Sequence, residues 1–255
     1  MISAELEIVL LILALYASTC IAFVYADEGV LARVAGGTGV RIADDRIRVA
    51  GRSPILLNPF APMFPAFRGR WGDPDAIGGS ELPVRVAEAI AASRMLSPYA
   101  IVVALLVVLG IPAALMLGGG TRAIPVALLA YLAIVVLLVR LWFLRRRFAL
   151  DAWKFALVAF ESIACPPFAA GIVRRLALAI PLEGDLASYI PRLRAHRRAR
   201  VVAELEGRCD EMASFHAEDS PERARLDEYR ARIAAMAASA QAAIDDTANA
   251  AEERQ

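Results

Sequence analysis

Apolar residues in this chain fall into long blocks. The first is IVLLILALYASTCIAFVYA, 8–26, the second YAIVVALLVVLGIPAALML, 99–117, and the third runs from Ile124 to Leu144. A run of about 20 apolar residues matches a helix crossing a ~30 Å hydrocarbon core. The pattern therefore predicts three transmembrane helices. The first block resembles a signal peptide only in hydrophobicity: MISAELE before it carries two Glu and no Lys or Arg, and YADEG follows in place of a small-residue cleavage site. An uncleaved helix is the expectation. Pro98 opens the second block, where a missing N–H costs nothing. Pro112 inside it predicts a mild kink. GGGTR, 118–122, predicts a tight turn, so the second and third blocks form an antiparallel hairpin. No Lys-Ser/Thr pair follows these glycines, which argues against a phosphate loop.

The segment 27–97 has another pattern. Residues 30–57 read as a β-meander, in which VRIADDRIRV, 40–49, alternates around Asp44-Asp45. A two-residue turn there pairs Ile42 with Ile47 and Val40 with Val49. It also sets Arg41 opposite Arg48, which is unfavourable unless an anion, headgroups or an acidic partner intervenes, or the register differs. ILLNPFAPMFPAF, 55–67, is extended chain that the bilayer, the meander or a partner must cover. GDPDAIGGSELP, 72–83, is a linker whose Asp73 and Asp75 lack the remaining ligands of a calcium loop. ELPVRVAEAIAASRML, 81–96, predicts a short helix leading into the second span.

Beyond the third block, Asp151 is placed to cap a helix through about 164, with Trp153, Leu157, Phe160 and Ala164 on one face. CPP, 165–167, ends it. The next helix aligns Phe168, Ile172, Leu176 and Ile180. These two amphipathic helices either lie flat on the inner leaflet or form the core of a cytoplasmic helical domain, and the local charge favours the leaflet. Farther on, Val202, Leu205, Cys209 and Met212 form one helical series. EDSP breaks it, Ser220 caps, and Pro221 takes the first helical position. Leu226, Tyr229, Ile233, Met236, Ala240 and Ala243 then give a short heptad seam. The two helices fold on each other as a hairpin, with a coiled coil to another protein as the alternative.

Charge sets the topology. The 255 residues are 58% hydrophobic with a net charge of +1. Residues 140–175, however, hold seven basic groups against two acids. Arg140, Trp142, Arg145, Arg146 and Arg147 form a basic, aromatic rim expected to meet anionic headgroups, joined by Trp153, Lys154, Arg174 and Arg175. The positive-inside rule puts 145–147 in the cytoplasm and GGGTR outside. Loop 27–97 carries nine Arg and is then inside, leaving the N-terminus out. The fold class read from the sequence is a mainly α membrane protein with three transmembrane helices, N-out and C-in, a small cytoplasmic β-meander and a cytoplasmic C-terminal helical hairpin. Its segments are 1–26, 27–97, 98–144, 145–181 and 182–255. Lys154 is the sole lysine, a bias of GC-rich bacterial genomes, and the expected location is a bacterial inner membrane.

Small residues recur every four positions at Ala14, Ser18 and Ala22 and at Gly110, Ala114 and Gly118, a spacing that permits close helix approach. Catalytic chemistry is not evident. Cys20, Cys165 and Cys209 form no CxxC or Cys/His cluster. His196 and His216 are not placed near Cys165, so no nucleophile–base pair is indicated. No cofactor, metal or nucleic acid is expected; the basic run Arg192–Arg200 suits lipid phosphate or pairing with its own acids. The leading expectation is a non-catalytic scaffold or accessory subunit, with Leu226, Tyr229, Ile233 and Met236 as the seam of the hairpin or of a partner contact. A membrane enzyme or transport component with its site at an oligomer interface, or a membrane-anchored sensor, are the alternatives.

Overall fold

The computed structural model describes residues 4–34, 37–42, 49–77 and 83–252. The strands are β1 (Ile21–Val24), β2 (Glu28–Val34), β3 (Gly37–Ile42), β4 (Ser53–Leu56), β5 (Ala66–Arg70) and β6 (Pro181–Asp185). The first helix is α1 (Ala4–Thr19). Two long apolar helices follow, α2 (Val84–Gly118) and α3 (Gly120–Phe148). Then come α4 (Ala152–Ala164), α5 (Pro166–Ala170), α6 (Ile172–Leu178), α7 (Ala195–Ala213) and α8 (Pro221–Glu252). The chain is mainly helical, with sheets of two and four strands. It divides into two compact units.

Unit 1 comprises 1–23, 54–67 and 83–180. Among the described residues, α2 and α3 are the helices long and apolar enough to cross a membrane. They run antiparallel. Arg140 Nε donates to Tyr99 Oη at 3.1 Å, and Arg147 Nη1 lies 4.0 Å from Met95 Sδ. A Cβ on Gly110 would lie 3.1 Å from Val126 Cγ1. The reversal falls within GGGTR, although helical hydrogen bonding runs unbroken from Ile111 to Leu144. Two boundaries differ from the sequence pattern. The helix expected from 81 merges with the second block, because Pro98 is accommodated inside α2. The helix expected over 8–26 stops at Thr19. Its 16 residues span about 24 Å at 1.5 Å per residue. Ile21–Val24 instead forms β1 beside β4, and the Leu57 amide donates to Cys20 O at 2.7 Å.

Asp151 caps α4, accepting from the Lys154 amide at 2.7 Å. Cys165-Pro166-Pro167 separates it from α5. The core of unit 1 includes Leu96, Val103, Ile134, Leu137, Leu141, Ile172 and Val173. Gly171 lets α1 approach: a Cβ there would sit 2.7 Å from Thr19 Oγ1.

Unit 2 comprises 24–53, 68–82 and 181–255. Its sheet has the order β3-β2-β5-β6. β2 and β3 are antiparallel, from Gly29 opposite Ile42 to Val34 opposite Gly37, while β6 runs parallel to β5. The expected pairings of Ile42 with Ile47 and Arg41 with Arg48, and the Asp44-Asp45 turn, lie outside the described residues. Val49, the partner expected for Val40, bridges to Arg52, and Val40 pairs with Leu31. The segment 182–255, expected as a helical hairpin, is preceded and opened by β6 and a 3-10 turn, Leu186–Arg192. α7 and α8 then pack together, with Arg230 Nη1 2.7 Å from Asp210 Oδ1. The Arg223 amide donates to Ser220 Oγ at 3.2 Å, so the cap sits where the sequence signals it. Leu226, Tyr229 and Ile233 are buried and Met236 is half-buried.

Candidate functional site

The loop NPFAPMFP, 58–65, contains three prolines. Each deletes an amide donor, so the loop has few of its own: the Ala61 amide donates to Asn58 O and the Phe64 amide to Ala61 O, both at 3.2 Å. Side chains from three helices of unit 1 add further donors. Tyr16 of α1 donates to Pro59 O. Ser97 of α2 shares its hydroxyl proton between Ser93 O at 2.8 Å and Met63 O at 3.3 Å. Arg174 of α6 directs Nη2 at Asn58 O (2.7 Å) and Ala61 O (2.9 Å). Arg174 is only 2% exposed, and a buried cation is tolerated only with such partners. This corrects the expectation that Arg174 meets lipid headgroups. The sequence shows its charge but not the proline loop that consumes it. Arg175 differs: half-buried, it pairs with Glu161 and lies 5.1 Å over the Phe168 ring.

The clamped loop presents Phe60 at 91% exposure. Beside it lies a cavity of about 230 Å³, walled by Tyr16, Pro59, Phe60, Pro62 and Met63 on one side and Ile101, Ala104, Leu105, Val108 and Leu109 of α2 on the other. The α2 wall is widened. Leu105–Gly110 forms a π-helical turn, and the Ile111 amide reaches back to Leu106 O. Pro112 explains it: proline offers no N–H to the carbonyl four residues back, and its ring crowds that carbonyl. The kink expected at Pro112 is thus a wide turn. Such turns inside helices are often found at functional sites.

A second feature of unit 1 is its outward apolar surface. On α4, Phe155, Val158 and Ser162 face inward, while Trp153 (78%), Leu157 (50%) and Phe160 (71%) are exposed on the opposite side. α5 and α6 are core, with Ala169, Ala170, Ile172, Val173 and Leu176 buried. The two amphipathic helices expected to share one environment therefore do not. The rim residues cluster beside α4. Trp142 meets Phe155 edge-on at 4.9 Å, and the Arg145 guanidinium lies 3.5 Å over the Trp142 ring. Arg140 also lies over Tyr99, at 5.7 Å. Arg146 and Arg147 are exposed, and Lys154 sits 3.7 Å from Asp151.

The small-residue stripes divide. Gly110 faces Val126 closely, and Ala114 is half-buried. Gly118 lies under the aliphatic part of Arg122. Ala14 and Ser18 are exposed, whereas Ala22 is buried in β1. The buried positions of α1 are Val9, Tyr16 and Thr19.

In unit 2 the polar focus is Asp185, 1% exposed. It accepts from Tyr229 Oη at 2.6 Å, the Ala187 amide at 2.7 Å and the Asp73 amide at 3.2 Å. Burial raises its pKa above the ordinary carboxylate value, and these three donors offset part of that rise. Tyr229 is held protonated by burial and then by the charge of Asp185. Its ring lies 6.4 Å from that of Trp71. The seam pattern locates Tyr229 on the sequence, but nothing there couples it to Asp185 or Trp71. Burial, then the neighbouring Asp210, pushes the Cys209 thiol up to about 11, so it is a poor nucleophile at neutral pH. Among the described residues, no group of three or more His, Cys, Asp or Glu is arranged to hold a metal ion. Comparison with protein families, characterised proteins and solved structures yields no match to this chain.

Proposed function

We propose that the chain is a non-catalytic bacterial inner-membrane protein whose α1–α3 lie in the bilayer, N-terminus out and C-terminus in. Its cytoplasmic unit 2 acts as a scaffold or accessory module for a protein partner. The observation that carries this reading is the outward apolar surface of unit 1. Leu128 (71%), Leu132 (60%) and Val135 (49%) of α3 are exposed together with Trp153 and Phe160 of α4. Monomeric soluble proteins rarely expose contiguous apolar surface on that scale. The rim of Arg140, Arg145, Arg146, Arg147 and Lys154 lies where an anionic leaflet would meet it. The three-donor clamp on a buried aspartate and the packed seam give unit 2 the features of a rigid binding module rather than a reactive centre.

The test labels single cysteines, Gly120→Cys and Asp219→Cys, in a chain lacking the native three, with a membrane-impermeant maleimide on intact spheroplasts. Position 120 is expected to label at once and position 219 only after permeabilisation. The reverse order overturns the orientation, and release of the protein by alkaline carbonate overturns the membrane reading. Purification in mild detergent should bring a stoichiometric protein partner; a lone chain that turns over a substrate refutes the scaffold role.

A further inference from the structure

Resting on the membrane reading above, we propose that the cavity of unit 1 between the clamped proline loop and the π-turn of α2 holds one hydrocarbon chain of a bilayer lipid. Four observations lead there. First, the cavity suits methylenes and not water. Among its lining side chains the one oxygen or nitrogen is Tyr16 Oη, and it donates to Pro59 O. A buried water needs two to four polar partners, and apolar cavities of ~150 Å³ stay dry and admit small hydrocarbons. At about 230 Å³ this one has room for a length of chain.

Second, the cavity opens sideways. Leu105 and Leu109 line it and are also 52% and 60% exposed. The opening is continuous with the outward apolar face of α2, so what surrounds that face also enters the cavity. For an apolar helix of this length that medium is lipid hydrocarbon. Third, the space is held open. A cavity beside a free loop would collapse by relaxation. Here Tyr16, Ser97 and Arg174 fix the loop from three helices, and the π-turn displaces the opposite wall. Fourth, Ala104 contributes only a methyl group to the floor, and Phe60 supplies an exposed ring where a chain would cross.

The test uses the full-length protein in liposomes of phosphatidylcholine and phosphatidylglycerol, doped with a phospholipid carrying a diazirine in one acyl chain. After irradiation, cross-links are mapped by mass spectrometry. Segments 58–63 and 101–109 are expected to carry several-fold more label than Leu128, Leu132 and Val135 of α3, which are equally exposed to the bilayer. Ala104→Trp fills the cavity and should remove that excess while leaving α3 labelling and the melting temperature in detergent unchanged. Should that variant not fold, Val108→Trp tests the same wall. Even labelling over all exposed apolar positions, or an excess that survives the filled cavity, overturns the inference while the membrane reading stands. Absence of label everywhere, α3 included, removes the membrane reading and the inference with it.

Discussion

Replacing Tyr229 by phenylalanine should destabilise unit 2 by an amount that grows as pH rises. The substitution keeps the ring against Trp71 and removes one hydroxyl, the donor 2.6 Å from Asp185 Oδ1. A hydrogen bond to a charged group is worth about 1.5–3 kcal/mol, against about 1 kcal/mol for a neutral pair. With Asp185 ionised the loss is thus ~2 kcal/mol, a fall in midpoint of roughly 8 °C for a unit of this size at ~2.1 cal/mol/K per residue. With Asp185 protonated it is about half that energy.

The direction follows from linkage. Asp185 has a folded pKa above its unfolded value of 3.8 because burial outweighs its three donors. The stability associated with its protonated form is fully present below 3.8 and is lost as pH rises through the folded pKa. Tyr229 lowers that folded pKa, so the variant's is higher still and it loses more on the way up. Thermal unfolding followed by Trp71 fluorescence, with Trp142 and Trp153 replaced by Phe, would compare the two proteins at pH 4, 6 and 8. The gap in midpoint should widen with pH. A gap that is constant, or absent at pH 8, refutes the claim that the hydroxyl serves a buried carboxylate.

Other parts of the structure give direct outcomes. Arg174→Met removes the charged donor from Asn58 O and Ala61 O, leaving each with the single loop amide it already accepts from, Ala61 and Phe64 respectively, and should cost about 1.5–3 kcal/mol; amide exchange of Phe60 and Phe64 should accelerate, and unchanged exchange would dismiss the clamp. Gly171→Val forces a Cβ to within 2.7 Å of Thr19 Oγ1. It should lower stability by about 1–3 kcal/mol, recovered in part by Thr19→Gly, as read by melting in detergent. Cys209, buried and with its pKa raised to about 11, should resist alkylation at pH 8 until unit 2 unfolds, whereas half-exposed Cys165 reacts in the native protein; mass spectrometry of the alkylated peptides distinguishes them.

Local signals in the sequence carried through to structure. Asp151 before an amphipathic run, Ser220-Pro221 before the heptad seam, and glycines between two apolar blocks each specify backbone chemistry at one place, and each is found there. Non-local pairing was not visible. Ile21–Val24 is β-branched and aromatic but continues an apolar block, and periodicity cannot separate a short buried strand from the end of a helix. It becomes a strand because β4, some thirty residues on, offers a partner. β6 likewise forms only because β5, more than a hundred residues earlier, supplies a parallel edge.

The candidate site was hidden for a related reason, yet it left a trace. A proline-rich apolar loop has too few donors for its own carbonyls, and in a dry setting each unpaired carbonyl costs free energy. A fold that packs such a loop against apolar helices must bring donors from elsewhere. Ionic complementarity is therefore the wrong search: the partner of Arg174 is not a carboxylate but a pair of carbonyls. The donors to seek are polar groups stranded in apolar helices, and Tyr16, Ser97 and Arg174 each fit that description in the sequence. Charge counting sent Arg174 to the membrane surface with its neighbours. A count of missing amides would have sent it to the loop, and the loop in turn marks the cavity beside it.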